Sequence, residues 1–119
     1  MIGRLKYRND FQILYQEGKA FKHGPIRVVY RCVSHAEFET RLAFAIGRNV
    51  GKSVTRNRIR RQLRSTMRAL VLSNNPPSKG DYLICVDPSV KDFPEKNIQE
   101  SLIYIMKKIN QELQGGSLK

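Results

Sequence analysis

"RLAFAIGRNVGKSVTRNRIRRQLRSTMRALVLSNNPPSKGDYLICV" (Arg41–Val86) decides how this chain folds. Its opening segment, "RLAFAIGR" (Arg41–Arg48), alternates, with Leu42, Phe44 and Ile46 on one face, the period of a half-buried strand. Its closing segment, "YLICV" (Tyr82–Val86), is a nearly continuous apolar run, as expected of a central strand covered on both faces. Between them, at about 100° per residue, Ile59, Leu63, Thr66, Met67 and Leu70 fall within roughly 100° of arc. That is the buried stripe of an amphipathic helix. Ser53 can cap it, and it is expected to run to about Ser73, before the double proline Pro76-Pro77.

The outer face of that helix is almost all guanidinium. Asn57, Arg61, Arg64 and Arg68 lie nearly opposite the apolar stripe, Arg58 flanks them, and Arg56 and Arg60 sit nearer its edge. Gly51–Arg68 holds seven Lys or Arg and no acid, and Thr40–Gly80 holds ten and no acid. This works against the helix. Cations in the first turn oppose the macrodipole by ~0.3–1 kcal/mol each. Arg56–Arg60, Arg60–Arg64 and Arg64–Arg68 are like-charge neighbours, each unfavourable by ~0.2–0.5 kcal/mol. A solvated surface selected for stability would mix signs.

The choice of cation narrows the partner. From Arg56 to Arg68 every cation is Arg, whose planar fork matches phosphate bidentately and stacks on bases. "RNVGKS" (Arg48–Ser53) adds Arg48, Lys52 and a turn at Gly51 before a helix N-terminus, where backbone N–H groups favour anions. It is not a phosphate-binding P-loop, because GxxxxGK[ST] needs glycine where Ile46 stands.

The whole chain agrees. Its 119 residues carry 22 Lys and Arg against 10 Asp and Glu, a net charge of +12. Such an excess points to a polyanion through steering and counterion release, although an anionic membrane would also attract it. Apolar content of 40% and long periodic segments indicate one folded domain over residues 1–119. Cys32 and Cys85 lie in apolar runs with no CxxC spacing and read as small buried thiols. "MIGRLKYRND" has no apolar stretch of a secretory leader, and no segment nears the ~20 apolar residues of a membrane span, so a cytoplasmic protein is expected.

The flanks supply further elements. Asn9 or Asp10 can cap a short first helix, with Gln12 at capping-box distance from Asn9 and Gly18 as its stop. "IRVVYRCV" (Ile26–Val33) alternates, with Ile26, Val28, Tyr30 and Cys32 on one face and Arg27 and Arg31 on the other. The polar "SHAEFET" that follows reads as a hairpin connection to the strand at Arg41. A last helix begins near Pro94 and is expected to end at Gly115-Gly116, with Ile98, Leu102, Ile105, Ile109 and Leu113 as its stripe. One sheet with helices packed on it, an α+β sandwich, is the expected architecture.

"RNVGKSVTRNRIRRQLR" closely resembles the Arg-Asn-Arg signature of the bacterial ribonuclease P protein component, carried here by Gly51, Val54 and Arg56-Asn57-Arg58-Ile59-Arg60-Arg61. "NDFQILYQEGK" is similar to that family's first helix and "LICVDP" to its late central strand. The resemblance implies an α/β sandwich ordered αβββαβα, with a mixed four-stranded sheet and a left-handed βαβ crossover carrying the Arg-Asn-Arg helix. It also implies a short extra strand, "KAFKH".

The implied function is that of a protein subunit bound to a catalytic RNA. Together they remove the 5′ leader of precursor tRNA, the RNA carrying the chemistry with Mg²⁺ and the protein gripping RNA and leader. Arg48, Lys52, Arg56, Arg58, Arg60, Arg61, Arg64 and Arg68 would contact phosphates of the catalytic RNA. Asn57 either donates to RNA or bonds its own backbone. Phe11, Tyr15 and Tyr30 match the family's leader cleft, Tyr15 standing where Phe is common; by residue type alone they read equally as core aromatics. No catalytic constellation or protein metal site is expected: His23 and His35 lie in turn-like contexts, and Asp87 and Asp92 flank a turn at Pro88. Neither a membrane nor a small-molecule substrate is an expected partner.

Three other readings remain open on composition. A generic RNA-binding or ribosomal protein fits equally well. A DNA-binding regulator lacks the short helix that should precede a recognition helix. An independent nuclease lacks an acid–base pair.

Overall fold

The structure, a computed structural model, describes residues 2–5, 8–33, 40–74 and 76–117. The chain runs β1 (Ile2–Arg4), α1 (Arg8–Glu17), β2 (Lys19–His23), β3 (Ile26–Arg31), β4 (Thr40–Ile46), α2 (Ser53–Val71), β5 (Gly80–Val86) and α3 (Glu95–Ser117). Short 3-10 turns at Arg48–Val50 and Pro88–Asp92 precede α2 and α3. The sheet order is β1-β4-β5-β3-β2, with β5 parallel to β4 and antiparallel to β3.

The centre follows from residue type. β5 is buried along almost its whole length, because α1 covers one face of the sheet and α2 with α3 cover the other. On the two-helix side, Ile26, Val28 and Tyr30 of β3 meet Ile59, Leu63 and Met67 of α2 and Ile98, Leu102, Ile105 and Ile109 of α3. Burying each large aliphatic side chain contributes about 1.5–3 kcal/mol, enough to hold α2 in place against its own like charges. On the other side Leu14 of α1 packs with Leu5, Val29 and Leu83.

Several expectations are corrected. The sheet has five strands rather than four: β1 adds to β4 in parallel, Ile2 opposite Thr40, and three residues are too few to show a period. "KAFKH" is β2, paired antiparallel with β3. β3 and β4 do not form a hairpin, since β5 lies between them; the "SHAEFE" connection itself lies outside the described residues, as does His35. Cys32 is exposed rather than buried, because β3 ends at Arg31 before the alternation reaches it.

Helix ends also differ. α1 begins at Arg8, so Asn9 and Asp10 sit within its first turn. Gly18 does end it, donating its N–H to the Leu14 carbonyl at 2.8 Å. A Cβ there would lie 2.3 Å from that carbonyl oxygen and 2.9 Å from Val29 Cγ1, so only glycine lets α1 close on β3. The residue at the N-cap of α2 is Lys52, not Ser53, with no side-chain cap bond; the helix ends at Val71. α3 continues through Gly115-Gly116 to Ser117, each glycine costing only about 1 kcal/mol relative to Ala. The Leu113 side chain lies outside the described residues. No described helix is long and apolar enough to cross a membrane.

Candidate RNA interface

Two surfaces present the residues singled out in the sequence. The first is the outer side of α2. Ile59, Leu63 and Met67 are buried, and this turns Asn57, Arg58, Arg61, Arg64 and Arg68 outward. Arg56 and Arg60 are half-buried at the edge of the apolar stripe, where their helical positions put them. Arg48 and Lys52 extend the same exposed surface before the helix.

Internal partners are few. Arg56 donates to the Gly51 carbonyl at 3.2 Å and to Ser53 Oγ at 3.1 Å. Arg60 donates to Asn57 Oδ1 at 2.8 Å, which gives Asn57 a role in holding its neighbour. Arg58 lies 3.8 Å from Glu95, both side chains 61% exposed, a pair worth ~0–1 kcal/mol. The Arg64 guanidinium sits over the Phe44 ring at 5.6 Å. Among the described residues the side chains of Arg48, Lys52, Arg61 and Arg68 have no hydrogen-bond or ion-pair partner. The face is free to take an external anion.

The second surface is the α1 side of the sheet. Strand register sorts its residues into rows pointing the same way. One row is Arg41, Asp81 and Arg31; the next is Ala43, Leu83, Val29 and Ala20; the last is Ala45, Cys85, Arg27 and Lys22. Leu14 closes on the middle row, and Phe11 packs half-buried against the same cluster. The last row stays open, with Lys22, Arg27 and Ala45 exposed and Cys85 half-buried. Burial pushes the Cys85 thiol up, and the Arg27 charge opposes this. Tyr15, one turn beyond Phe11, is 60% exposed. The open basic row and the edge of α1 that carries Phe11 bound a shallow groove on this side of the sheet.

Tyr30 is not in this groove, which corrects the expected placement. Its ring is 5% exposed and lies on the opposite face of the sheet, with the Tyr82 ring at 4.7 Å and its hydroxyl donating to the Lys79 carbonyl at 2.6 Å. Burial pushes both tyrosine hydroxyls above their ordinary range. The β3 residue facing α1 is Val29. Sequence reasoning assigned no role to Lys22 and Arg27; the signal available was that Arg27 falls on the opposite parity to Tyr30.

The fold and these surfaces define a class: an α+β scaffold carrying a guanidinium-coated helix on one side of its sheet and a basic groove on the other. Among its described residues no group of three or more His, Cys, Asp or Glu is placed to hold a metal ion. The family model described as Ribonuclease P matches residues 3–110, and the chain belongs to that family.

Relatives agree with this membership. The ribonuclease P protein component of Clostridium botulinum (strain Loch Maree / Type A3) is 30% identical over 105 residues, covering 88% of this chain and 92% of that one. The one from Listeria monocytogenes serotype 4a (strain HCC23) is 28% identical over 104 residues, covering 87% and 85%. The solved ribonuclease P protein of Staphylococcus aureus superposes with a TM-score of 0.76 at 25% identity, covering 87% of this chain and 92% of that chain. The Thermotoga maritima protein, at 24% identity and a TM-score of 0.73 over 89% and 96%, shares the fold.

Proposed function

We propose that this chain is the protein subunit of a ribonuclease P ribonucleoprotein, which binds the catalytic RNA through α2 and holds the 5′ leader of precursor tRNA along the α1 groove. The observation that carries the reading is the α2 face, which holds six arginines and no acid and where the exposed Arg61 and Arg68 side chains lack partners among the described residues. Family membership supports the choice of a ribonuclease P RNA as that partner. Arg48, Lys52, Arg61, Arg64 and Arg68 would meet phosphates, with Arg58 added once it leaves Glu95.

In the groove, Tyr15 and the exposed edge of Phe11 would stack on leader bases while Lys22 and Arg27 follow the backbone. Because mature tRNA lacks the leader, such contacts favour substrate over product. Hydrolysis of the leader phosphodiester belongs to the RNA with Mg²⁺. That ion would be held mainly by the RNA, in the cytoplasm where precursor tRNA is processed.

Reconstitution tests this. Added to a ribonuclease P RNA at low Mg²⁺, the chain should confer leader cleavage, while the protein alone should cleave nothing. A chain that ignores structured RNA at physiological ionic strength would overturn the proposal.

A further inference from the structure

On the α1 side, one guanidinium faces two carboxylates. Arg41 donates from Nε and one terminal nitrogen to Asp81, both at 2.9 Å, in a side-on fork. Its terminal nitrogens also reach Asp10 of α1, at 3.4 and 3.5 Å. The Asp81 side chain is 1% exposed, while those of Arg41 and Asp10 are 17% and 20% exposed. The hydrogen bond to Asp81 raises the Arg41 affinity for its proton, so this centre stays charged. The two links differ in kind. The Asp81 link is short and buried, and losing either partner would strand a charge in the core. The Asp10 link is longer and partly wet, so it can be removed without that penalty.

Asp10 directly precedes Phe11. α1 is a ten-residue helix whose buried residue is Leu14. At its C-terminal end Gly18 clamps it to β3. At its N-terminal end Asp10 meets the sheet at Arg41. Near the C-terminal end Glu17 also lies 3.9 Å from Arg31, so the Asp10 link is what ties down the first turn, next to Phe11.

We infer that Asp10 and Arg41 are positioning residues: anchored by Asp81, Arg41 grips Asp10 and so sets how Phe11 and Tyr15 stand over the open row of Lys22, Arg27, Cys85 and Ala45. The inference rests on the groove holding the leader, as proposed above. It assigns no contact with RNA to either residue.

The test uses the reconstituted holoenzyme and compares binding of precursor and mature tRNA for Asp10→Asn, Asp10→Glu and Tyr15→Ala. Asp10→Asn should weaken precursor tRNA roughly tenfold, the lower range for losing one stacked base, and leave mature tRNA and assembly unchanged. The loss should vanish for a precursor with its leader cut to one nucleotide, a readout that simple instability would not move. Asp10→Glu should recover most of the affinity. If Tyr15→Ala fails to reduce the preference for precursor, the groove reading itself falls. If Tyr15→Ala reduces it and Asp10→Asn does not, or if Asp10→Asn weakens both tRNAs equally, the positioning inference is overturned.

Discussion

α2 and α3 lie on the same side of the sheet and bury similar aliphatic stripes, yet their outer faces are opposites. Between Glu95 and Glu112, α3 carries three acids and three lysines, with Lys96 and Glu100 paired along the helix and Glu112 bonded to Lys19 of β2. α2 carries six arginines and no acid. The α3 pattern is what packing and solvation select. The α2 pattern lowers its own helix stability, a loss that the proposed RNA partner would offset by neutralising it. A comparison of two helices in one core thus sets charge arranged for the fold beside charge that, on the proposed reading, would serve binding.

The inner faces should prove equivalent, which is the largest effect. Leu63→Ala in α2 and Leu102→Ala in α3 should each destabilise the RNA-free protein by about 2–5 kcal/mol, since both side chains are fully buried. Denaturant unfolding measures this. A loss near zero at Leu63 would mean that α2 is not held by its apolar stripe, and the contrast between the helices would lose its basis.

The outer faces should then part. The double substitution Arg61→Ala, Arg68→Ala should weaken binding to ribonuclease P RNA and reduce the log–log salt slope by about 0.7–0.9 for each phosphate that is no longer neutralised. Lys107→Ala with Lys108→Ala on α3, both exposed, should leave that slope where it was. Equal slopes for the two double variants would place the RNA against both helices and end the distinction.

The smallest effect sharpens the comparison most. Arg60→Glu turns the Arg56–Arg60 and Arg60–Arg64 repulsions into attractions, and the gain should exceed the loss of one exposed bond to Asn57. The RNA-free protein should become more stable by about 0.4–1 kcal/mol while its affinity for RNA falls. Thermal melting read beside RNA titration decides it. A variant that is both less stable and poorer at binding would indicate that Arg60 serves the fold.

Much of this could be read along the chain because it is periodic and local. β5, α2 and α3 show their burial in the spacing of apolar residues, and Arg56 and Arg60 occupy the half-buried edge that helical geometry assigns them. β1 was not legible, being three residues paired to a strand almost forty positions away. The alternation of β3 put Tyr30 with Ile26 and Val28, and that grouping holds; which face α1 would cover did not follow from it.

What the sequence by itself determined is the one-signed face of α2, because an amphipathic helix with its apolar side buried has nowhere else to put its arginines. The tertiary structure alone decided that β5 separates β3 from β4, that Val29 rather than Tyr30 faces α1, and that Arg41 meets both Asp81 and Asp10. Those outcomes depend on strand order and register, which join residues far apart in the chain, and no local period encodes them.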